Sequence, residues 1–456
     1  MLITSISGIR GTIGGVPGEH LTPVDIVSFV SAYGSWILSK TQTSSTIIVG
    51  RDARISGEMV LNLTINTLTS LGINVVNLNL ATTPTVEMEV VSRGAAGAII
   101  ITASHNPKEY NGLKMLNEHG EFLSSEEGQE ILTRAQNKNY SYADVDHLGI
   151  VEVSQDHTER HIEKICELNL VTVEAIRAKQ YTAVVDAVNS VGGIAVPTLL
   201  RSLGVHVIEL YCEPHGDFGH VPEPLEKNLA DLKQAVIDNT ADIGIAVDPD
   251  VDRLVLVDEQ GNMFGEEYTI VSVADYVLSK NPGATVSNLS SSRALRDISE
   301  KYEQQYYASA VGEKNVVEKM KEVGAVIGGE GSGGVIYPLL HYGRDALVGI
   351  GLFLSHLAEQ NIFVSQLRAT YPNYYMAKEK VDLVPGIDVD AILEHMLQTY
   401  QSENISDIDG VKIDFEDSWV HLRKSNTEPI IRIYTEARSQ EEADALAQRF
   451  VSEISN

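Results

Sequence analysis

The chain has 456 residues, 43% of them hydrophobic, and a formal net charge of -29. That length exceeds one ordinary core and suggests about three or four domains, while the charge, with no lysine–arginine stripe, excludes a nucleic-acid partner. No run approaches the roughly 20 apolar residues that span a bilayer. Met1-Leu2-Ile3-Thr4 lacks the basic and apolar regions of a signal peptide, so no membrane partner and a cytoplasmic location are expected. Cys166 and Cys212 suit neither a disulfide framework nor a metal-ligand spacing and are expected as buried apolar filler.

In chain order, strand-like apolar runs alternate with helix-like amphipathic stretches, which indicates α/β units with largely parallel strands. Three segments share an order of parts. The first has strands over 46–50, 71–76 and 98–101 and closes on the turn Thr102-Ala103-Ser104-His105-Asn106-Pro107. The second has 182–186, 203–208 and 243–247 and closes on Asp248-Pro249-Asp250-Val251-Asp252-Arg253. The third has 285–289, 306–310 and 325–327 and closes on Gly328-Gly329-Glu330-Gly331-Ser332-Gly333-Gly334. Ligands gather at the carboxyl ends of strands in open α/β sheets, so three such loops are placed to converge on one site. Beyond about residue 370 the pattern changes. Strands over 381–387, 410–415 and 430–435 and an amphipathic helix over 440–454 describe a smaller α+β domain, with a boundary at Tyr371-Pro372-Asn373. The expected units are 1–150, 151–255, 256–368 and 369–456.

The loops carry the chemistry. Ser104, placed where a buried strand ends, is held rigidly yet reaches a cleft, and Asn106-Pro107 forces a turn. The same residues also read as an ordinary polar turn. Asp248, Asp250 and Asp252 at alternate positions of an extended segment point to one side, and three clustered carboxylates with room for a phosphate oxygen suit Mg²⁺. A calcium loop is excluded because its sixth and twelfth positions hold Arg253 and Gln260. In Arg423-Lys424-Ser425-Asn426-Thr427-Glu428-Pro429, two cations, two hydroxyls and an amide read as a phosphate cradle or as an ordinary charged turn, followed on a strand by Arg432. Arg10 and Lys114 are single cations near loops. Neighbours on an extended segment face opposite ways, so His105 is not expected as a base for Ser104, and the nucleophile-elbow glycines are missing. A phosphatase with an aspartate nucleophile at Asp248 or Asp250 leaves the other loops without a role.

Taken together, these residues resemble the α-D-phosphohexomutases, the family of phosphoglucomutases, phosphomannomutases and phosphoglucosamine mutases. The marks run through the chain in order: Gly8-Ile9-Arg10-Gly11, Gly50-Arg51-Asp52-Ala53-Arg54, then 102–107, 111–114, 248–253, 329–334 and 423–429. The resemblance implies four domains around a central cleft, three related α/β domains with mixed sheets and a C-terminal α+β domain. It implies a phosphoserine at Ser104, Mg²⁺ held by Asp248, Asp250, Asp252 and the serine phosphate, and a hexose 1,6-bisphosphate intermediate. It assigns Arg10 and Lys114 to the reacting centre, Lys114 as acid/base, and Arg253 to the metal loop. Glu330 and Ser332 are assigned to sugar hydroxyls, and Arg423, Ser425, Asn426 and Thr427, with Arg432, to the phosphate that does not react. The implied partner is a small sugar phosphate.

The sugar is read from departures. Gly334 stands where many glucose- and mannose-directed members have histidine, a form similar to archaeal-type phosphoglucosamine mutases, and Glu313 replaces another histidine. Asn426, by contrast, is similar to the glucose and mannose enzymes. An acidic Glu313 or Glu330 pairs with a 2-ammonium group, which points to glucosamine phosphate. Phosphomannomutase or phosphoglucomutase activity is the alternative, and a non-catalytic sugar-phosphate sensor is a remote one.

Overall fold

Five residues at the centre of the first sheet show how the sequence builds this fold. In the computed structural model, which describes residues 2–5, 8–40, 45–382, 388–424 and 430–455, the strand Gly97–Ile101 is buried along its whole length. Ile99 and Ile101 enter a core with Trp36 and Leu68, whereas Ala98 and Ile100 enter another with Val86 and Val90. Side chains alternate across a strand, so one covered on both faces is apolar at every position. Helices Pro23–Lys40 and Gly57–Ser70 supply the first cover and Thr83–Arg93 the second.

The three α/β units repeat one topology. The first strand of each (Thr46–Arg51, Thr182–Asp186, Thr285–Asn288) lies between two parallel neighbours. The second strands are Asn74–Leu80, His206–Leu210 and Tyr306–Ser309, and the third are Gly97–Ile101, Ile243–Val247 and Ile327–Glu330. A fourth (Tyr110–Leu116, Leu254–Val257, Gly334–Ile336) returns antiparallel to the third. The largely parallel reading is thereby corrected to mixed sheets. The serine, acidic and glycine turns occupy this same return in the three units, and they are too short for the crossover a parallel strand needs.

Strands Leu2–Ser5 and Gly8–Thr12 extend one edge of the first sheet and Val151–Val153 the other. That last strand carries the first unit past residue 150, and Leu254–Val257 carries the second sheet past 255. One core runs continuously from the second unit into the third; Cys212 lies in it, and the half-buried Cys166 packs against it. The C-terminal unit is a five-stranded antiparallel sheet with helices Val389–Thr399 and Gln440–Ser455 packed on one face. Its first strand, Tyr375–Asp382, starts earlier than expected, and residues 383–387 lie outside the described ones. Among the described residues no helix is long and apolar enough to cross a membrane.

Candidate active site

The serine turn is held from beneath by one arginine. Arg54, fully buried, donates to the carbonyls of Ser104 (2.5 Å), Asn106 (2.7 Å), Pro107 (2.7 Å) and Tyr110 (2.9 Å) and pairs with Asp52 at 3.0 Å. Thr102 Oγ1 donates to Asp52 (2.7 Å) and accepts from the backbone N–H of Ser104 (2.9 Å). This scaffold holds Ser104 in the left-handed region, φ 48°, a conformation that costs a residue with a Cβ roughly 1–3 kcal/mol and that clusters at functional sites. The turn also changes the relation between neighbours. His105 Nδ1 lies 3.4 Å from Ser104 Oγ, so the extended geometry expected to separate them is not present. Burial and Arg253 push the His105 imidazole down to about 3, leaving it neutral at ordinary pH.

Ser104 Oγ donates to Asp248 Oδ2 at 2.9 Å. One oxygen each from Asp248, Asp250 and Asp252, all buried, lie within 4.8 Å of one another. They converge through a tight turn rather than an extended segment. Val251 sits at φ 64°, its N–H donates to Asp248 O (3.1 Å), and Asp248 Oδ1 accepts from the N–H groups of Asp252 (3.1 Å) and Arg253 (3.2 Å). The first unit grips this turn through Thr83, whose N–H donates to Asp250 O (2.9 Å) and whose Oγ1 donates to Asp250 Oδ2 (2.8 Å). Burial, together with Asp252 and Asp250, raises the Asp248 pKa well above the usual carboxylate range. Asp250 Oδ1 and Asp252 Oδ1 are buried and accept no hydrogen bond from the described residues. Clustered carboxylate oxygens in that condition fit a hard divalent cation.

Cations surround the carboxylates. Lys114, on the return strand Tyr110–Leu116, donates to Asp250 (2.7 Å) and Asp252 (3.3 Å); burial would lower its pKa, but the two aspartates outweigh burial and raise it. Arg253 Nε lies 4.0 Å from Asp252. Arg10 Nη1 donates to Asn106 Oδ1 at 3.3 Å. Arg10, Ser104, Lys114, Glu313, Glu330, Arg423 and Arg432 all line one cleft of about 570 Å³. Arg423 and Arg432 face each other across neighbouring antiparallel strands. Ser332, half-buried on the third turn, is not among the described residues that line the cleft. Ser425, Asn426 and Thr427 lie outside the described residues.

Three contributors were not singled out from the sequence. Arg54 was visible only as part of a motif, and Thr83 lay in no polar loop of note. Arg344 also lines the cleft and donates to Asp252 (2.6 Å), Glu330 (2.7 Å) and Glu313 (3.0 Å). Only an acidic surplus in the loops hinted at a buried counter-charge.

Comparison with known proteins bears on this geometry. Family models for phosphoglucomutase/phosphomannomutase match along the chain, the three α/β/α domains at 2–141, 159–261 and 265–374 and the C-terminal domain at 376–453. A phosphoglucomutase/phosphomannomutase of Thermococcus kodakarensis is 35% identical over 95% of both chains. A phosphoglucosamine/phosphogalactosamine mutase of Sulfurisphaera tokodaii is 32% identical over 96% of both. The crystal structure of a phosphoglucomutase/phosphomannomutase family protein from Burkholderia thailandensis, 25% identical, superposes with a TM-score of 0.85 over 100% of this chain and 98% of that one. With matching models in all four units and relatives covered nearly end to end, the chain belongs to the α-D-phosphohexomutase family, isomerases that move a phosphoryl group within a sugar phosphate.

Proposed function

We propose that this chain interconverts hexose 6-phosphate and hexose 1-phosphate through a phosphoserine at Ser104 and a hexose 1,6-bisphosphate intermediate. The observation that carries the reading is the 2.9 Å contact between Ser104 Oγ and Asp248, made where the cleft also receives Lys114, Arg423 and Arg432. Asp248, Asp250 and Asp252, with the serine phosphate, would hold Mg²⁺, which would neutralise charge on the transferring group. The phosphorus–oxygen bond at Ser104 breaks as a bond to the sugar hydroxyl forms. The net proton movement is from that hydroxyl to Ser104 Oγ. Lys114 relays it, giving one proton to the departing serine oxygen and taking another from the attacking hydroxyl. Arg10 and Arg253 flank the transfer, and Glu330 and Ser332 take sugar hydroxyls. Arg423, Ser425, Asn426, Thr427 and Arg432 grip the phosphate that does not react. The bisphosphate turns over and returns its other phosphate to Ser104, and the units we propose for this work are 1–150, 151–255, 256–368 and 369–456.

The sugar we propose is glucosamine phosphate. Supporting it, one guanidinium, Arg344, faces three carboxylates, Asp252, Glu313 and Glu330, a negative surplus that suits a 2-ammonium group. Glucose or mannose phosphate is the second reading, favoured by the fact that Arg344 already pairs with both glutamates. Intact mass and peptide mapping of purified protein test the mechanism: one phosphate is expected on Ser104, and Ser104→Ala is expected to abolish turnover with the fold retained. Full mutase activity in that variant would overturn the mechanism. Side-by-side kcat/KM values on glucosamine, glucose and mannose 1-phosphates, with catalytic glucose 1,6-bisphosphate and Mg²⁺, decide the sugar.

A further inference from the structure

We infer that Arg344 is a specificity-determining residue: it occupies the acceptors of Glu313 and Glu330 and so tempers selection for an amino sugar, and the bare backbone at Gly334 is what admits it. The inference rests on the mutase reading of the cleft and adds to it the residue that sets sugar discrimination.

The two glutamates come from different elements of the third unit. Glu313 starts the helix Glu313–Val323 and Glu330 ends the strand Ile327–Glu330. Both line the cleft and both are buried. Arg344 serves them together. Its backbone N–H and Nε donate to the two oxygens of Glu313 (2.9 and 3.0 Å), and Nη1 donates to Glu330 Oε2 (2.7 Å). The remaining oxygen of Glu330 accepts from Asn288 Nδ2 (2.7 Å) and the Gly312 N–H (3.2 Å). All four oxygens therefore have protein donors, and the guanidinium cancels one of the pair's two charges. The same group reaches Asp252 of the acidic turn at 2.6 Å, tying sugar-facing carboxylates to the phosphoryl-transfer centre.

Position 334 pairs with Glu330 in the antiparallel ladder. A Cβ there would lie 2.4 Å from Arg344 Cδ and 3.1 Å from Cγ. Any side chain larger than hydrogen forces the arginine stem to shift and disturbs its side-chain bonds to Glu313 Oε2 and Glu330 Oε2. Without the guanidinium, one oxygen of each glutamate becomes an open, negatively charged acceptor for the C2 substituent, while the Arg344 N–H, Asn288 and the Gly312 N–H keep the other oxygens engaged, and this favours ammonium over hydroxyl.

The test uses glucosamine 1-phosphate and glucose 1-phosphate, which differ only at C2, in Mg²⁺ with catalytic glucose 1,6-bisphosphate at pH 7.5. The readout is the ratio of kcat/KM for the two sugars, in which losses common to both through Asp252 cancel. Arg344→Gln is expected to raise the glucosamine-to-glucose ratio at least tenfold, equivalent to about 1.4 kcal/mol, while both absolute values fall. Gly334→Ala, which keeps every charge, is expected to shift the ratio in the same direction, and it carries the test if Arg344→Gln does not fold. Arg344→Lys is expected to hold the ratio closer to that of the parent. A ratio unchanged within twofold in the folded variants, with both sugars losing equally, overturns the inference and leaves Arg344 a support for the acidic turn. Failure of the parent protein to turn over glucosamine, glucose or mannose 1-phosphate instead overturns the mutase reading itself.

Discussion

At the scale of single residues, the site depends on groups that are expensive to bury and are therefore fully engaged. Arg54 spends its guanidinium on four carbonyls of the serine turn and on Asp52. Arg54→Met leaves those acceptors and a buried carboxylate without partners, and a loss of about 3–5 kcal/mol in urea unfolding is expected. Arg54→Lys keeps the charge but not the fork, so a fall in kcat of at least tenfold is expected in steady-state assays. The aspartates show the converse, a cluster under-engaged within the protein. Two of their buried oxygens accept nothing from the described residues, and burial together with like charge raises the pKa of Asp248. Mg²⁺ is therefore expected to raise the thermal midpoint, by about 2.7 kcal/mol of added stability at a hundredfold excess over Kd, and chelation to reverse it. Asp248→Asn removes repulsion, so calorimetry is expected to show an unliganded midpoint no lower than the parent's and no Mg²⁺ increment.

Elements meet at a second polar cluster, behind the site. His341 lies between Asp345 (3.3 Å) and Glu87 (3.3 Å), and Asp345 also accepts from His161 (2.9 Å), whose other nitrogen meets Thr85 (2.9 Å). Helix Thr83–Arg93, helix His157–Cys166 and the segment leading into helix Ala346–Gln360 are joined here. Burial opposes a charged imidazole, yet hydrogen bonds to Asp345 and Glu87 prevail and raise His341 to about 10; burial lifts Glu87 to about 8. Both groups bind protons more tightly folded than unfolded. The His341 contribution is complete below about pH 6.5, its unfolded value, and is lost as pH rises through 10. The Glu87 shift acts in the same direction, because the folded state gives up its proton later. Stability is thus expected to fall between pH 6.5 and 10, measured as the urea midpoint. His341→Gln is expected to flatten that slope.

Across the whole molecule, the second and third units share one core whereas the C-terminal unit has its own. Polar contacts attach that unit to the third: Lys412 Nζ donates to Leu289 O (2.8 Å), Arg293 Nη2 donates to Ser418 O (2.8 Å), and Ser290 Oγ meets His421 Nδ1 (2.9 Å). Polar interfaces of this kind permit relative motion, which suits the proposed phosphate grip and its service to two orientations of the proposed intermediate. Arg423, paired with Asp409 at 2.9 Å, and Arg432 are directly opposed on neighbouring strands, which places two cations where an anion can lie between them. Arg432→Gln is accordingly expected to raise KM for the sugar phosphate about tenfold or more in initial-rate assays, with an unfolding midpoint unchanged or higher.

What could be read from the chain alone was whatever lies close in sequence. Ser104 at the end of an apolar strand, the alternating Asp248, Asp250 and Asp252, and the triple order of strands and turns are all local patterns, and local patterns determine which elements form and where a loop interrupts them. Even there the backbone departs from the extended path the pattern predicts: the aspartates converge because Val251 turns the backbone back, and His105 approaches Ser104 because the serine is left-handed. Arg344 could not be read at all. It lies 92 residues from Asp252, and its place depends on a missing side chain at Gly334 and on two glutamates brought together by a helix start and a strand end. Separations of that kind are closed only when the sheets and their covering helices pack, so the tertiary structure alone decided which charges in this acidic chain would be neighbours.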